Sequence, residues 1–456
     1  MAARTFDCVV IGAGPGGYVA AIRAAQLGMS TAVVERGAVG GRCLNVACIP
    51  AKAVLRAADI LSEVREAGDF GIVVAEPSVD FGAVMALREK VVSTLTGGVS
   101  GLFKKNKIEL ITGEASLTAA GTVSVGDDEL SAKAIVLATG SVPRAVPGIE
   151  FGERVVGTEE AWAFTQLPGS LAVLGAGPSG SEIASAYARL GSKTYLFEVL
   201  DRVLPTEDED ISKIVARGLS RQGVAVHTGT AIENVKSNAS SVSFTAAGEQ
   251  IEVDWLVLAV GRGPDVAGLG LEAAGIALGE RGLIAVDGAQ RTSREGVYAI
   301  GDLVSGPALA HKASDEGIIA VEAAAGLATH PLVHIDIPRA TFCAPNVASF
   351  GLTEAQAREA GHEVVVGKVP YGAVGAGTIY GDRSGIVKII GESRYGELLG
   401  AHIVGTRATE LIQELVNARA LEGGYAEVAR IVHGHPTLSE AVLEAARDAD
   451  GWLIHG

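Results

Sequence analysis

The chain has 456 residues, enough for about three domains of ordinary size. Hydrophobic residues make up 48% of it and charged residues 20%, a composition typical of a globular protein. The formal net charge of −16 opposes attraction to nucleic acid and to anionic lipid, and no basic run forms a local exception. We therefore expect no nucleic-acid partner and no membrane partner.

The N-terminus and the cysteine content indicate a cellular compartment. Only four residues separate Met1 from the apolar run Phe6–Ile11, which leaves no room for a signal peptide. No uninterrupted apolar run approaches the roughly 18 residues of a membrane span. Four cysteines are too few for a secreted disulfide framework. These features predict a cytoplasmic protein.

The first predicted elements form one nucleotide-binding unit. The apolar strand Phe6–Ile11 leads into the turn GAGPGG at residues 12–17, and an alanine-rich helix follows over Tyr18–Leu27. A second strand, Thr31–Val34, ends at Glu35. A GxGxxG turn between a strand and a helix, with an acid about 20 residues later, is typical of a dinucleotide site.

Two closely spaced cysteines follow this unit in the segment GGRCLNVACIPAK, residues 40–52. On a regular helix Cys43 and Cys48 would be about 7.5 Å apart along the axis, beyond the roughly 7 Å Cα separation that a disulfide allows. We therefore predict a distorted turn that lets the pair form an easily reduced, catalytic disulfide. Zinc would need two more ligands at metal spacing, so we predict no metal site.

The glycine-rich unit recurs in the middle of the chain. A strand at Leu171–Leu174, the turn GAGPSG at 175–180, a helix over Ser181–Leu190 and a strand at Thr194–Phe197 end at Glu198. In both copies the first glycine precedes the closing glutamate by 23 positions. One such motif is weak evidence in a chain with 60 glycines, but the duplication predicts two βαβ dinucleotide sites.

The glycines of each turn have distinct physical roles. The first allows the tight bend, the second lets a pyrophosphate approach the backbone, and the third lets helix and strand pack closely. The predicted cofactor-binding glycines are Gly12, Gly14 and Gly17 in the first copy and Gly175, Gly177 and Gly180 in the second.

The closing glutamates predict the choice of cofactor. Glu35 and Glu198 can each accept hydrogen bonds from an adenosine ribose, and a carboxylate there would repel a 2′-phosphate. We therefore predict NAD rather than NADP at the second site. Arg202, four residues beyond Glu198, leaves NADP as an alternative.

The last third of the chain has different patterns. Apolar alternation at Glu363–Val369, Gly385–Ile390 and His402–Val404 predicts strands. Amphipathic patterns over Ala408–Leu421 and Ser439–Arg447 predict helices. Together they indicate an α+β domain.

One histidine has the context of a proton-transfer group. His435 precedes Glu440 by five residues, so the carboxylate can hold one imidazole nitrogen while the other exchanges a proton with a thiol. Because the thiolate is the nucleophile of a dithiol enzyme, such a base is needed near neutral pH. We expect the neighbouring His433 to be structural.

These motifs resemble those of one enzyme family. GGRCLNVACIPAK resembles the active-site signature of the class I pyridine nucleotide-disulfide oxidoreductases, and most closely that of the dihydrolipoamide dehydrogenases. Further motifs stand in the family's order over essentially the whole chain: LATG at 137–140, AVGR at 259–262, YAIGD at 298–302, ASFGLTE at 348–354 and HGHPTLSE at 433–440.

The resemblance implies a flavoenzyme that uses FAD and NAD. The N-terminal unit would bind FAD, with Glu35 on the adenosine ribose and Asp302 on the ribityl-phosphate portion. Cys48 would face the flavin, and Cys43 would exchange with the substrate. The other implied positions are Lys52, Thr139 and Gly140 for FAD, and Glu182, Glu198 and Gly261 for NAD. Lys52 and Glu182 would pair near the flavin and the nicotinamide, although from the residues alone both could be exposed helix charges.

The resemblance also implies the architecture: α/β, with two Rossmann-like dinucleotide-binding domains and a C-terminal α+β dimerisation domain. The FAD domain would be split over residues 1–145 and 269–335, the NAD domain would occupy 146–268, and the interface domain 336–456. In a homodimer, His435 and Glu440 of one subunit would act on the Cys43 of the other.

The implied reaction oxidises dihydrolipoamide to lipoamide through the Cys43–Cys48 disulfide and FAD and reduces NAD⁺ to NADH. The implied partner is the lipoyl domain or acyltransferase core of a 2-oxoacid dehydrogenase complex. Arg42 and Pro178-Ser179 depart from the family pattern. Arg42 could lower the pKa of Cys43 or alter the substrate entrance, which leaves a reductase of another small disulfide as the alternative. Pro178-Ser179 puts the usual gating of the nicotinamide in doubt.

Overall fold

The computed structural model describes residues 4–456. Its strands are β1 (Arg4–Ile11), β2 (Thr31–Glu35), β3 (Glu109–Thr112), β4 (Ala115–Leu117), β5 (Val123–Val125), β6 (Asp128–Leu137), β7 (Ser141–Pro143), β8 (Val155–Gly157), β9 (Ser170–Leu174), β10 (Lys193–Phe197), β11 (Ala225–His227), β12 (Ile232–Ser237), β13 (Val242–Ala246), β14 (Glu249–Val253), β15 (Trp255–Leu258), β16 (Arg262–Pro264), β17 (Val297–Ala299), β18 (Arg339–Thr341), β19 (Val347–Gly351), β20 (Val364–Pro370), β21 (Ile386–Glu392) and β22 (Leu398–Val404).

Its α-helices are α1 (Pro15–Gln26), α2 (Gly41–Asn45), α3 (Cys48–Glu66), α4 (Phe81–Lys105), α5 (Thr158–Ala161), α6 (Pro178–Leu190), α7 (Glu209–Arg221), α8 (Ala310–Ala324), α9 (Glu354–Glu359), α10 (Gly375–Ile379), α11 (Ala408–Ala420), α12 (Tyr425–Val428) and α13 (Ser439–Ala449). Short 3₁₀ turns lie at Ala67–Phe70, Glu280–Gly282, Gly301–Leu303, His334–Asp336 and Tyr371–Ala373.

The described chain falls into two compact units. The first comprises residues 4–53, 83–144 and 261–334, and the second comprises 54–82, 145–260 and 335–456. The division into an FAD domain, an NAD domain and an interface domain stays a prediction.

The first unit is built on a seven-stranded sheet with the order β3-β2-β1-β6-β5-β4, and β17 also pairs with β6. The strands β3, β2, β1, β6 and β17 pair in parallel, whereas β4, β5 and β6 pair antiparallel. The end of β1 is apolar and fully enclosed, with Ile11 opposite Val34 on one side and Leu137 on the other. The carboxyl ends of three parallel strands therefore meet at one edge, where α/β sheets bind ligands.

Helix α1 packs against α8 at unusually close range. A Cβ at Gly16 would lie 2.9 Å from the carbonyl oxygen of Ala313, and a Cβ at Gly317 would lie 2.6 Å from that of Gly16. Only glycine fits such an approach without displacing a backbone. The contact fixes the N-terminal turn of α1, which faces the ligand edge of the sheet.

The second unit contains three sheets. Five parallel strands follow the order β11-β10-β9-β15-β8, and a three-stranded antiparallel sheet has the order β12-β13-β14. A five-stranded antiparallel sheet, β18-β19-β22-β21-β20, carries α11 and α13. The predicted fold class, parallel nucleotide-binding sheets followed by an α+β region, is confirmed.

The C-terminal sheet differs from the predicted alternation of buried and exposed residues. Every residue of β22 is buried, and so is β21 up to Gly391. One face carries the apolar core with α11 and α13. On β21 the buried Lys388 instead forms ion pairs with Asp208, Asp210 and Glu354, each at 2.9 Å. Lys388, the polar residue of this alternating pattern, is therefore enclosed with three carboxylates rather than exposed to solvent.

Within residues 4–456, no helix has both the length and the apolar character needed to cross a bilayer.

Candidate active site

The two glycine-rich turns have the same geometry. Gly12 and Gly175 both have φ +103°, and a Cβ on either would press on the backbone carbonyl of the neighbouring strand end, Ala138 or Ala259. The third glycines would place a Cβ on the carbonyl oxygen of the first, which explains why Gly17 must be glycine. Backbone strain and close packing thus account for the outer glycines of the motif.

Both helices begin earlier than the sequence predicts. Helix α1 starts at Pro15 rather than Tyr18, and α6 starts at Pro178 rather than Ser181. Proline suits the first helical position because its missing N–H has no partner there in any case. Pro178 is therefore a helix-starting residue that corresponds to Pro15, while Ser179 is exposed beside it.

The middle glycines point to a ligand rather than to protein packing. Gly14 and Gly177 have ordinary backbone angles, with φ near −69° and −68°. Among the described residues, a Cβ at Gly14 would approach only the Cα of Gly41, at 4.0 Å, and one at Gly177 would meet nothing within 4 Å. Each lies at the N-cap of a long helix, where N–H groups and the helix dipole favour a phosphate. The space that these glycines keep open fits a dinucleotide pyrophosphate.

The closing glutamates have a second role that the sequence did not indicate. Glu35 accepts hydrogen bonds from the N–H groups of Ala13 and Gly37, both at 2.7 Å. In the second copy, Glu198 accepts from Ala176 at 2.8 Å and from Leu200 at 3.0 Å. Each carboxylate therefore ties the glycine-rich turn to the end of the second strand. Because a carboxylate has about four acceptor sites, it can still accept a ribose hydroxyl.

A cleft at the ligand edge of the first sheet is lined by several predicted FAD residues. It is lined by Ile11, Gly12, Val34, Glu35, Arg36, Gly113, Glu114, Ala115, Thr139, Asp265, Ala267, Gly268 and Leu269. Thr139 donates to the carbonyl oxygen of Asp265 at 2.6 Å, and the Asp265 carboxylate pairs with Arg36. Arg36 and Asp265, which the motifs did not single out, hold the rim of this cleft.

Asp302 lies in a polar cluster of the same unit. Its Oδ2 accepts a hydrogen bond from the Ser141 hydroxyl at 2.5 Å, and Arg262 donates to the same hydroxyl at 2.9 Å. Ser141 and Arg262 belong to the paired strands β7 and β16. Gly140, with φ +80°, makes the turn before β7. Gly140 and Asp302 lie just beyond the paired ends of β6 and β17, a pairing that local patterns did not predict.

A buried ion pair supports the backbone before Asp302. Lys312 and Glu316 on α8 lie 3.0 Å apart with fully buried side chains. Lys312 donates to the carbonyl oxygen of Gly301 at 2.9 Å, and Glu316 accepts from its N–H at 2.7 Å. Both polar groups of Gly301 are therefore held by one pair of charges. Helical spacing alone could have suggested this pair, but not its burial.

The dithiol segment has the predicted distortion. Cys43 belongs to the short helix α2, and a new helix, α3, begins at Cys48. Between them, Val46 leaves the helical region with φ −136°. Gly41, at the start of α2, packs so closely on Gly14 that a Cβ there would lie 2.6 Å from the Gly14 Cα. The dithiol turn therefore lies directly against the first glycine-rich turn.

The two thiols interact directly through a hydrogen bond. The hydrogen bond with Cys48, and then burial, raise the pKa of Cys43 far above its ordinary value, while the charges of Lys52 and Arg42 act in the opposite direction. Arg42 thus acts to lower the pKa of Cys43, as predicted, but the hydrogen bond with Cys48 and burial raise this pKa by more. A thiol in this state needs a base to react near neutral pH.

Two predicted NAD residues of the second unit, Glu182 and Glu198, are buried. Glu182 on α6 is 5% exposed and accepts a hydrogen bond from the N–H of Phe342 at 2.9 Å, so it is not an exposed helix charge. Glu198, at the end of β10, is also buried. Gly261, in the first unit, has φ +109° and accepts from the N–H of Arg144 at 3.1 Å.

The predicted base and its carboxylate are in contact. His435 Nδ1 lies 2.9 Å from Glu440 Oε1, and Glu440 Oε2 accepts from the N–H of Thr437, also at 2.9 Å. Burial opposes ionisation, but the Thr437 N–H and His435 hold the pKa of Glu440 below its ordinary value. Because a carboxylate only accepts, Nδ1 carries the proton and Nε2 is the nitrogen that can take another.

Comparisons with known proteins identify the family. The model of the pyridine nucleotide-disulphide oxidoreductases matches residues 6–317, and that of their dimerisation domain matches residues 337–446. The chain belongs to the pyridine nucleotide-disulphide oxidoreductase family. It is thus an oxidoreductase that uses FAD and NAD(H), as predicted.

Similar proteins match over nearly the full length. A dihydrolipoyl dehydrogenase of Rhizobium etli is 42% identical over 99% of this chain and 100% of its own, and one of Bacillus subtilis is 41% identical with the same coverage. Among solved structures, the HOCl-induced flavoprotein disulfide reductase RclA of Escherichia coli, as its Cu(II) complex, has a TM-score of 0.88 and 27% identity. That match covers 97% of this chain and 99% of RclA. The predicted resemblance to dihydrolipoamide dehydrogenases is confirmed.

Proposed function

We propose that the protein acts as a dihydrolipoyl dehydrogenase, which oxidises dihydrolipoamide to lipoamide and reduces NAD⁺ to NADH. The observation that carries this proposal is the contact between Cys43 and Cys48 on a broken helix packed against the first glycine-rich turn. Full-length relatives that bear this name support the choice of substrate.

In the proposed reaction the two cysteines have different tasks. A thiolate of dihydrolipoamide attacks the sulfur of Cys43 in the disulfide, and Cys48 leaves as a thiolate. The second substrate thiol attacks this mixed disulfide, which closes lipoamide and releases Cys43. The substrate loses two electrons and the cysteine pair gains them. Lys52 and Arg42, which lower the pKa of Cys43, favour the thiolate that this exchange releases.

His435 is the proposed base of this exchange. Glu440 holds Nδ1 at 2.9 Å, so Nε2 can take the proton of the attacking thiol. The His435 side chain is 75% exposed in the single chain, which leaves its ring accessible to a second molecule. We propose that it acts on Cys43 of the other subunit of a homodimer, in agreement with the matched dimerisation domain.

For FAD, we propose binding by the first glycine-rich turn, with Glu35 on the adenosine ribose and Asp302 on the ribityl-phosphate portion. We assign Lys52, Thr139 and Gly140 to the same site. When bound, FAD supplies the carrier that accepts two electrons from the dithiol and delivers a hydride to the nicotinamide, which a thiolate cannot do itself.

For NAD, we propose the second turn, Gly175, Gly177 and Gly180, with Glu198 on the ribose. Glu182 and Gly261 would lie beside the nicotinamide. The buried carboxylate of Glu198 supports NAD over NADP, because a 2′-phosphate beside it would be repelled.

At the level of the assembly, we propose a cytoplasmic homodimer that serves a 2-oxoacid dehydrogenase complex through its lipoyl domain or acyltransferase core. We also propose the three-domain division, with FAD at 1–145 and 269–335, NAD at 146–268, and the interface at 336–456. The dimerisation-domain match at 337–446 supports the last of these boundaries.

The test is the rate of NAD⁺ reduction by dihydrolipoamide in the purified holoenzyme, compared with Cys43→Ala and Cys48→Ala. We expect each variant to lose at least about 10³-fold in kcat, since each removes a covalent step. Cys8→Ala, which changes a buried cysteine of β1, is the control for folding and should keep the rate. If Cys43→Ala retained the dihydrolipoamide activity, the proposed function would be wrong.

A second candidate is a reductase of another small disulfide. Arg42 adjacent to Cys43 and the structural likeness to RclA favour it. Comparing kcat/KM for lipoamide, oxidised glutathione and other small disulfides, with NADH and with NADPH, separates the two candidates. Lipoamide with NADH should have the largest value.

A further inference from the structure

Two histidines, His433 and His435, lie two residues apart on the loop at residues 429–438, which we call the His435 loop. Each pairs with a glutamate outside the loop. His435 pairs with Glu440 and is 75% exposed along its side chain. His433 pairs with Glu414 of α11, and its side chain is only 5% exposed. The sequence predicted only that His433 is structural. Its contacts allow a more specific assignment.

Both ring nitrogens of His433 face oxygen atoms that only accept. Nδ1 lies 2.8 Å from the carbonyl oxygen of Ile431, and Nε2 contacts a carboxylate oxygen of Glu414. A neutral imidazole has one N–H, so it could satisfy only one of these acceptors. Both hydrogen bonds therefore require the doubly protonated imidazolium.

The charges around His433 agree with this protonation state. The hydrogen bond to Glu414 raises the pKa of His433, burial opposes it, the Ile431 carbonyl raises it further, and the charge of Arg447 on α13 lowers it. Arg447 is itself paired with Glu444 at 2.7 Å. The net shift of the pKa of His433 is upward, which favours the charged pair.

The middle of the loop, residues 430–437, has little apolar packing within the single chain, whereas Ala429 and Leu438 at its two ends are buried in the core. Ile431 is 59% exposed and Val432 is 95% exposed. At the start of the loop Arg430 pairs with Asp450 at 2.8 Å. Beyond Val432, the Thr437 hydroxyl donates to the carbonyl oxygen of Gly434, and Glu440 makes the contacts with His435 and Thr437. The His433–Glu414 pair ties the loop to α11, 19 residues earlier in the chain.

We propose that the His433–Glu414 ion pair is a positioning device, which anchors the His435 loop to α11 and so fixes the direction in which the His435 ring presents Nε2. His433 is a positioning residue and does not touch the substrate. This inference rests on the proposed role of His435 as the base. Its consequence is that an orientation error in the loop reduces the chemical step rather than substrate binding.

The test uses Glu414→Gln and His433→Gln in the full-length holoenzyme. We expect kcat for dihydrolipoamide oxidation to fall about tenfold in both, with KM unchanged, because a misplaced base slows proton transfer without removing binding contacts. Reduction of ferricyanide by NADH needs neither the base nor the dithiol, and we expect it to be unchanged.

The pH profile of kcat separates positioning from a general loss of structure. Because the pKa of His433 is raised, the ion pair should position the His435 loop at low pH. This positioning should be lost as pH rises through the pKa of His433. Without the charge of Glu414 that pKa falls, so the alkaline decline of kcat moves to lower pH in Glu414→Gln. In His433→Gln no group titrates there, and this decline disappears.

Glu410→Gln is the matched control, because it makes the same change one turn earlier on α11 at an exposed position. It should keep the wild-type kcat and pH profile. Glu414 is 34% exposed, so its variant should fold and melt within a few degrees of the wild type. A wild-type kcat and pH profile in Glu414→Gln would overturn the positioning role alone. A wild-type protein that does not oxidise dihydrolipoamide would overturn both this inference and the proposed function.

Discussion

The two glycine-rich turns, at residues 12–17 and 175–180, are nearly identical in sequence and in backbone geometry, yet their neighbours differ. The first is contacted by the dithiol turn, where Gly41 packs on Gly14. At the second, among the described residues, the space that a Gly177 Cβ would enter is open. The repeat thus supplies two similar turns, each at the start of a long helix, and the segment after the first copy places two cysteines against that turn.

The same comparison extends to how each turn is held. Glu35 and Glu198 each clamp their turn through backbone N–H groups at 2.7–3.0 Å. The difference lies in burial, because Glu35 is only half-buried whereas Glu198 is 7% exposed. A repeated motif can therefore keep its internal hydrogen bonds while its surroundings change its access to solvent and ligand.

The largest expected effect is a loss of stability, and it tests whether Gly12 and Gly175 are under the same backbone strain. Gly12→Ala and Gly175→Ala would each force a Cβ onto a backbone carbonyl at φ +103°. We expect each to lower the free energy of unfolding by about 2–4 kcal/mol, measured by denaturant titration. Gly28→Ala and Gly191→Ala are controls that add strain without a clash and should cost about 1 kcal/mol. Suppose that Gly12→Ala and Gly175→Ala lower the free energy of unfolding no more than the controls do. The backbone carbonyls would then not block a Cβ at these two glycines.

A smaller effect should distinguish the ligands of the two turns. Gly14→Ala and Gly177→Ala add a Cβ that meets no close protein atom, so the stability of the apoprotein should change by less than about 0.5 kcal/mol. If a pyrophosphate occupies each space, Gly14→Ala should lose flavin on gel filtration. Gly177→Ala should keep its flavin and raise the KM for NAD⁺ about tenfold. The opposite pattern would exchange the cofactor assignments.

The smallest expected effect concerns the added dithiol segment. Burial and Cys48 raise the pKa of Cys43, so Cys43 is protonated at neutral pH and its alkylation should accelerate as pH rises. Arg42→Ala removes a charge that lowers this pKa. We expect alkylation of Cys43 by iodoacetamide in the reduced enzyme to slow about two- to threefold at neutral pH, as followed by peptide mass spectrometry. Arg56→Ala, at an exposed position on α3, is the control. An unchanged Cys43 rate in Arg42→Ala would leave Arg42 without an electrostatic role.

Short-range features of the site could be predicted from the sequence because local chemistry determines them. The strand, turn and helix of each nucleotide unit follow from apolar runs and glycines, and the break between Cys43 and Cys48 follows from helical rise alone. The pairing of His435 with Glu440 was also predictable, since they lie only five residues apart, where the loop leads into α13.

Other features depend on contacts between distant segments, which no local pattern contains. Ser141 contacts Asp302 because the strands that precede them, β6 and β17, pair in parallel. Glu182, on a buried face of α6, accepts a hydrogen bond from the distant Phe342. Likewise, the enclosed ring of His433 has a carboxylate partner only because α11 brings Glu414 to it.

The sequence by itself determined the local patterns of the candidate site: the duplicated turns, the cysteine pair, and the histidine with its acid. Only the tertiary structure decided the surroundings of these groups, that is, which thiol pKa is raised, which carboxylates clamp backbone, and which histidine is enclosed between two acceptor oxygens. The physical reason is that residue type sets what a group can do, whereas burial and partners from distant segments set its protonation and orientation.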